Sequence, residues 1–202
     1  MAESARTYTT LKKEKTPKEL SEFSKQVTER YATSELEYSQ EDVARDNNIT
    51  RGCLRRLMDD AIIEARVSMS IALSVKNKAM QKSEMKVQQA GGRSISHHND
   101  LMKKRAEYLV TGVSKVKTKE IAEDIANDFS KPINYFTRKH GIESERLTKL
   151  LLKKAIVEDI VSDEVMELLI KRSLGSNPNE KSKATFEKFR QERKEYKKKN
   201  SQ

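Results

Sequence analysis

Two stretches of the chain repeat one pattern of side chains, and this repeat limits the folds that the chain can adopt. Residues 43–68 align with residues 136–162 when one residue is inserted in the second stretch. The identical pairs are Arg45/Arg138, Ile49/Ile142, Leu54/Leu147, Leu57/Leu150, Ala61/Ala155, Ile62/Ile156, Glu64/Glu158, Val67/Val161 and Ser68/Ser162. A glycine-containing break and a basic stretch follow each copy. We therefore predict an internal duplication, with a flexible N-terminal arm at 1–17, a first unit at 18–110 and a second unit at 111–198 that ends in a basic helix.

The composition favours small helical cores over one large core. Of the 202 residues, 36% are charged and only 35% are hydrophobic, and the chain has only 6 Gly and 3 Pro. Lys, Glu, Leu and Arg are good helix formers. The formal net charge of +10 indicates a polyanionic partner. We therefore expect an all-α protein made of two duplicated helical units.

Several classes of protein are excluded by what the sequence lacks. One cysteine and three histidines leave no disulfide and little for a metal site, so we expect no cofactor and no metal. No apolar run is long enough for a membrane span, and no secretory signal begins the chain, so we expect a cytoplasmic protein without membrane insertion. No phosphate-binding loop or nucleophile motif is present, and we expect no enzymatic activity.

Local signals place the helices of the first unit. Thr16, followed by Pro17 and Glu19, is a typical helix start. Ser39 begins a second helix that runs to about residue 47, and Thr50 caps a third helix that we expect to continue to about residue 80.

The segment Gln40–Met58 resembles the helix-turn-helix of phage repressors and related regulators. Its core and turn positions are filled by Val43, Ala44, Asn48, Ile49, Leu54 and Leu57. Asn48 stands at the turn position that is usually glycine, and asparagine is a suitable replacement where the backbone is left-handed. In the second unit Ile133–Leu150 repeats the pattern, with Phe136, Thr137, Gly141, Ile142, Leu147 and Leu150.

The resemblance implies that the second helix of each motif enters the major groove of DNA. The residues that we expect to contact DNA in the first unit are Gln40, Thr50, Arg51, Gly52, Arg55, Arg56 and, after the pair Gly91–Gly92, Arg93. In the second unit they are Arg138, Lys139, Ser144, Thr148, Lys149 and Lys153. Glu143 and Glu145 lie at the start of that second helix and would repel phosphates. The second unit is therefore expected to bind more weakly, to recognise another sequence, or to dock a protein.

The duplicated layout is similar to the internal-dimer DNA-binding accessory proteins of Gram-positive conjugative plasmids, and also to phage small-terminase subunits. This resemblance implies a pseudo-twofold internal dimer that binds double-stranded DNA as a monomer, or a conventional dimer, and that works beside other proteins of a plasmid or phage. It implies a transcription regulator or an origin or relaxosome accessory factor. The alternative is a helical protein–protein adaptor, or a packaging factor, that does not read bases.

Overall fold

A computed structural model describes residues 5–86, 93–175 and 179–201 of the chain. These residues form helices and no strand, which confirms the all-α prediction. The chain divides into two compact units between Tyr108 and Leu109, which we call unit 1 and unit 2. The predicted boundary lay after residue 110.

Unit 1 contains α1 (Tyr8–Glu14), α2 (Pro17–Thr33), α3 (Gln40–Asp46), α4 (Arg51–Ile63), α5 (Met69–Lys86) and most of α6 (Arg93–Gly112). Unit 2 contains α7 (Lys115–Asn127), α8 (Ile133–Lys139), α9 (Glu145–Val157), α10 (Asp163–Leu174) and α11 (Glu180–Asn200). None of the helices in the described part of the chain combines the length and the apolar character needed to cross a membrane.

The predicted N-terminal arm contains a helix that packs on unit 1. The side chain of Leu11 in α1 is completely buried in the unit 1 core. Arg6, just before α1, forms an isolated bridge with the α3–α4 turn, in which its N–H donates to the carbonyl of Asn48 at 3.0 Å and its carbonyl accepts from the N–H of Thr50 at 3.0 Å. In the described residues this segment is therefore part of unit 1, which corrects the prediction of a flexible arm over 1–17.

Polar caps determine where the helices of unit 1 begin. Thr16 and Glu19 form a reciprocal capping box at the start of α2, with Pro17 in its first turn, as the sequence predicts. Ser39 and Asp42 form a second box at the start of α3. These caps satisfy backbone N–H groups that have no partner within the helix.

The third predicted helix is divided into α4 and α5. The α4 helix ends at Ile63 because Ala65 has a left-handed backbone, with a φ of 54°. The N–H of Arg66 then donates to the carbonyl of Ala61 at 2.9 Å, which closes the helix end. The expected continuation to about residue 80 is therefore wrong, since α5 begins anew at Met69.

Each unit has its own apolar core. The largest fully buried side chains of unit 1 are Tyr31, Leu11, Leu54, Leu57 and Ile62. Those of unit 2 are Phe136, Ile121, Ile125, Leu151, Ile156, Leu169 and Ile170. Many small contacts of this kind supply most of the stability of short helices, which are marginal alone.

The two units bury an arginine in the same way. In unit 1 the guanidinium of Arg105 donates to the carbonyls of Ile62 and Val67, both at 2.9 Å. In unit 2 Arg193 donates to the carbonyls of Ile156 and Val161, at 3.0 and 2.7 Å. Both arginines are only 4% exposed. The last helix of each unit is thereby tied to the end of its helix-turn-helix.

A second basic side chain closes the first long helix of each unit. Lys78 donates to the carbonyls of Tyr31 and Ser34, at 2.9 and 3.1 Å. Arg172 donates to the carbonyls of Ile125, Asp128 and Lys131. The helix order α2–α6 thus matches α7–α11 in its internal contacts. This is what a duplication would produce, and the duplication itself stays a prediction.

The structure moves the extra residue of unit 2 into the turn before α9. Thr50 is the N-cap of α4 and Ser144 is the N-cap of α9, so these two residues correspond. Leu57 therefore matches the buried Leu151, and Leu150 is only half-buried. The predicted pairs Leu54/Leu147 and Leu57/Leu150 are wrong by one position, because the α8–α9 turn is longer than the α3–α4 turn.

Candidate nucleic-acid interface

The α3–α4 pair of unit 1 is joined by a left-handed turn. Asn48 has a φ of 49°, as expected from its position in the sequence. The N–H of Ile49 donates to the carbonyl of Ala44 at 3.0 Å, and both side chains are buried. The hydroxyl of Thr50 then accepts from the N–H of Cys53 at 3.2 Å and starts α4. The connection between α3 and α4 therefore fixes the orientation of the first helical turn of α4 relative to the unit 1 core.

The α4 helix has one buried face and one basic face. Cys53, Leu54, Leu57, Met58, Ala61 and Ile62 are buried in the unit 1 core. Arg51, Gly52, Arg55 and Arg56 are exposed. A Cβ atom built at Gly52 would meet no atom within 4 Å, so the backbone is open to a partner there. The first turn contains no acidic residue. Four of the predicted DNA-contacting residues thus lie on one surface.

The three arginines of this surface have different environments. The guanidinium of Arg51 pairs with Glu41 at 2.9 Å, and both side chains are more than 60% exposed. Arg56 lies over the ring of Tyr8, 4.4 Å from its centroid. Arg55 makes no ion pair with any described residue. Arg55 is therefore the arginine that can bind a new partner without giving up an existing one.

Tyr8 holds Arg56 in place and was not recognised from the sequence. Its hydroxyl donates to Asp60 at 2.5 Å. Burial, together with this hydrogen bond to a carboxylate, raises the pKa of Tyr8 to about 12. The neutral phenol therefore persists at every physiological pH. The sequence gives little indication of this role, because Tyr8 lies in the segment 1–17 that is predicted to be a flexible arm.

The three other predicted residues of unit 1 do not add to the described basic surface. Gln40, the first residue of α3, is half-buried. Arg93 is the first residue of α6, but its side chain, like Gly91 and Gly92, lies outside the described residues. Thr50 uses its hydroxyl as a helix cap. The candidate nucleic-acid interface of unit 1 is therefore formed by the basic face of α4.

Cys53 is a core residue, as the sequence suggests. Its side chain is 3% exposed, and burial raises the pKa of the thiol to about 11. A thiol in this environment is protonated at neutral pH and is a poor nucleophile.

Unit 2 repeats the turn but not the basic face. Gly141 has a φ of 62°, and the N–H of Ile142 donates to the carbonyl of Thr137 at 2.7 Å. Ser144 caps α9 through its hydroxyl, which accepts from the N–H of Leu147 at 3.3 Å. Glu145 lies in the first turn of α9, at the position that Arg51 has in α4.

Thr148 does not lie on the exposed face of α9, so its assignment as a DNA contact is corrected. Its side chain is completely buried. Because the extra residue lies before Ser144, Thr148 corresponds to the buried Leu54. The sequence alignment missed Arg146 for the same reason, and this exposed side chain takes the position of Gly52.

The other basic residues predicted in unit 2 are exposed, and some already have partners. Lys139 pairs with Asp124 at 2.6 Å, which raises the pKa of this lysine. Lys153 lies over the ring of Phe189 at 5.4 Å and near Glu192. Arg138 and Lys149 are exposed as expected. The basic side chains of unit 2 are thus more dispersed and more neutralised than those of α4.

No group of three His, Cys, Asp or Glu residues within the described ranges could hold a metal ion. Comparisons with protein-family models, with curated proteins and with solved structures find no match to this chain.

Proposed function

We propose that the protein binds double-stranded DNA, with α4 of unit 1 in the major groove. The observation that carries this proposal is the exposed face of α4, on which Arg51, Arg55 and Arg56 surround the open backbone of Gly52 without an acidic residue in the first turn. Arginine can donate two parallel hydrogen bonds to guanine or to a phosphate. The N-terminal turn of a helix also favours negative charge.

Existing contacts of the arginines do not oppose this role. The pair between Arg51 and Glu41 is solvent-exposed, and such pairs contribute about 0–1 kcal/mol. Exchanging Glu41 for a phosphate therefore costs little. Arg56 is held over Tyr8, which limits the conformations that it must lose on binding.

Unit 2 supplies a second and weaker module under this proposal. Two similar units on one chain would bind as a pseudo-dimer, and their different second helices favour an imperfect inverted repeat or a composite site. We further propose that the protein works in the cytoplasm and without enzymatic activity. It would act either as a transcription regulator or as an origin or relaxosome accessory factor of a plasmid or phage.

The test begins with selection of bound fragments from a random DNA pool. Fluorescence anisotropy then measures the affinity for the selected fragment at about 50 mM and about 200 mM NaCl, where phosphate contacts predict a loss of at least about tenfold. The variant Arg55→Gln should weaken binding by about 5- to 150-fold if the side chain reads a base. Lys149→Gln, at the same helix position in unit 2, should have a smaller effect.

Lys18→Gln is the matched control, because it removes one exposed charge from α2 of unit 1. If no fragment is selected, or if Arg55→Gln and Lys18→Gln bind equally well, α4 is not a recognition helix.

One observation favours a protein-binding function for unit 2. Val116, Phe129 and Tyr135 are large apolar side chains that are 79%, 49% and 44% exposed. Exposed apolar surface is typical of protein contacts. A helical adaptor would show no salt-dependent affinity for DNA, and the anisotropy experiment distinguishes the two functions.

A further inference from the structure

Unit 1 contains a cavity of about 560 Å³ that borders the basic face of α4, since Arg51, Gly52 and Arg55 line it. Its walls come from α4, α5 and α6 and include Gln40 of α3. The apolar part of the wall is formed by Met58, Ile62, Val75 and Leu101. A space of this size is within the range of small-molecule sites, which are mostly apolar with a few polar groups.

The polar part of the wall is mainly cationic. Arg55 and Lys76 both line the cavity, and neither makes an ion pair with a described residue. The carboxylate of Asp59 also lines it, but this group already contacts the Nε2 atom of His97 at 3.2 Å. Arg51 also lines the cavity, so its wall contains three cationic side chains and one carboxylate.

His98 lines the cavity and carries an unpartnered polar atom. Its side chain is 5% exposed, and its Nε2 atom is buried without a hydrogen-bond partner in the described structure. Burial, reinforced by the charges of Lys76 and His97, lowers the pKa of His98 to about 4. Buried polar atoms nearly always have a partner, so this one indicates a missing group.

Unit 2 has apolar side chains at the positions of His98 and Lys76. The shared contacts of Arg105 and Arg193 match α6 with α11, so His98 corresponds to Phe186 and Leu101 to Phe189. The rings of Phe186 and Phe189 pack edge to face, with centroids 5.6 Å apart.

The shared contacts of Lys78 and Arg172 likewise match α5 with α10, so Lys76 corresponds to Ile170, which is 2% exposed. His98 and Lys76 are thus not needed to build this kind of helical unit.

We propose that the cavity of unit 1 binds a small organic anion. Its acidic group would lie between Arg55 and Lys76, its apolar body would pack on Met58, Val75 and Leu101, and a polar atom of the ligand would hydrogen-bond to Nε2 of His98. The observations behind this proposal are the cavity and its wall, and they hold whether or not the protein binds DNA, although Arg51, Gly52 and Arg55 belong to both surfaces.

The test uses 8-anilinonaphthalene-1-sulfonate, a fluorescent dye that combines an aromatic body with one sulfonate. Titration of the full chain should give a saturable fluorescence increase with one dye per chain. Lys76→Gln should raise the dissociation constant of the dye by at least about tenfold, because a charge-assisted contact is lost. Leu101→Phe and His98→Phe introduce the residues of unit 2 and should reduce binding by filling the space. Lys104→Gln, an exposed charge on α6, should leave the dissociation constant unchanged.

A second measurement locates the dye independently of the variants. In a spectrum of protein labelled at the methyl groups of its 7 methionines, the Met58 signal should shift during the titration. Circular dichroism confirms that each variant remains helical. The proposal is overturned if the dye does not bind, if the cavity variants and Lys104→Gln bind it equally, or if the Met58 signal does not move.

Discussion

His98→Phe tests whether the buried imidazole makes the protein sensitive to acid. Burial lowers the pKa of His98 to about 4, whereas the ordinary value is 6.5. The native state therefore resists protonation, while the unfolded chain takes up a proton as the pH falls below 6.5. The contribution of the neutral imidazole to stability is complete above pH 6.5 and is lost as the pH falls towards 4.

The magnitude follows from the difference between the two pKa values. Each pH unit of difference corresponds to about 1.4 kcal/mol, so lowering the pKa from 6.5 to about 4 sets an upper limit of about 3 kcal/mol. We expect wild-type protein to lose about 2 kcal/mol more than His98→Phe between about pH 7 and about pH 4.5. Carboxylates that titrate in the same range are present in both proteins, so their contribution cancels in the difference.

The assay is urea unfolding followed by circular dichroism at several pH values, which gives the free energy of unfolding for both proteins. Because burial is the largest cause of the shift, raising the NaCl concentration should leave most of the difference in place. Equal losses of stability in wild type and His98→Phe would show that the imidazole is not held neutral by burial, and would refute this reasoning.

Three further predictions use other features of the two units. Arg105→Met and Arg193→Met should each lower the free energy of unfolding by about 2–5 kcal/mol, because two carbonyls lose a charged donor, and urea unfolding measures this. Gly141→Ala should cost about 1–2 kcal/mol at its positive φ, whereas Asn48→Gly should change thermal stability little. If DNA binding and the anion site are both correct, the sulfonate dye should weaken DNA binding in anisotropy, because Arg55 belongs to both surfaces. Unchanged affinity at saturating dye would show that the two sites do not share this side chain.

The sequence predicts the helix-turn-helix of unit 1 well because its signals are local. Thr16, Ser39 and Thr50 cap their helices through residues three positions away, and Asn48 needs only its own backbone to adopt the left-handed turn. Interactions of this range leave a pattern that can be recognised without knowledge of the fold.

The errors concern features that depend on distant contacts or on the exact register. The identity of Leu57 with Leu150 suggested an alignment that the cap at Ser144 contradicts, and this shift of one residue moved Thr148 onto the wrong face. Leu11 is an isolated apolar residue in a polar segment, and only its contact with the unit 1 core reveals its role. The cavity depends on side chains from four helices, so no local pattern could indicate it.

The single cysteine, Cys53, can report motion of α4. Cys53 lies on α4 beneath the basic face, almost completely buried and with its thiol pKa raised to about 11. A thiol reagent can reach this sulfur only after α4 separates from the unit 1 core. The rate of labelling in native buffer therefore reports how often that segment opens. Its dependence on urea concentration separates local openings, which expose little surface, from global unfolding. A partner that binds the basic face should slow the labelling of Cys53 without contacting its sulfur.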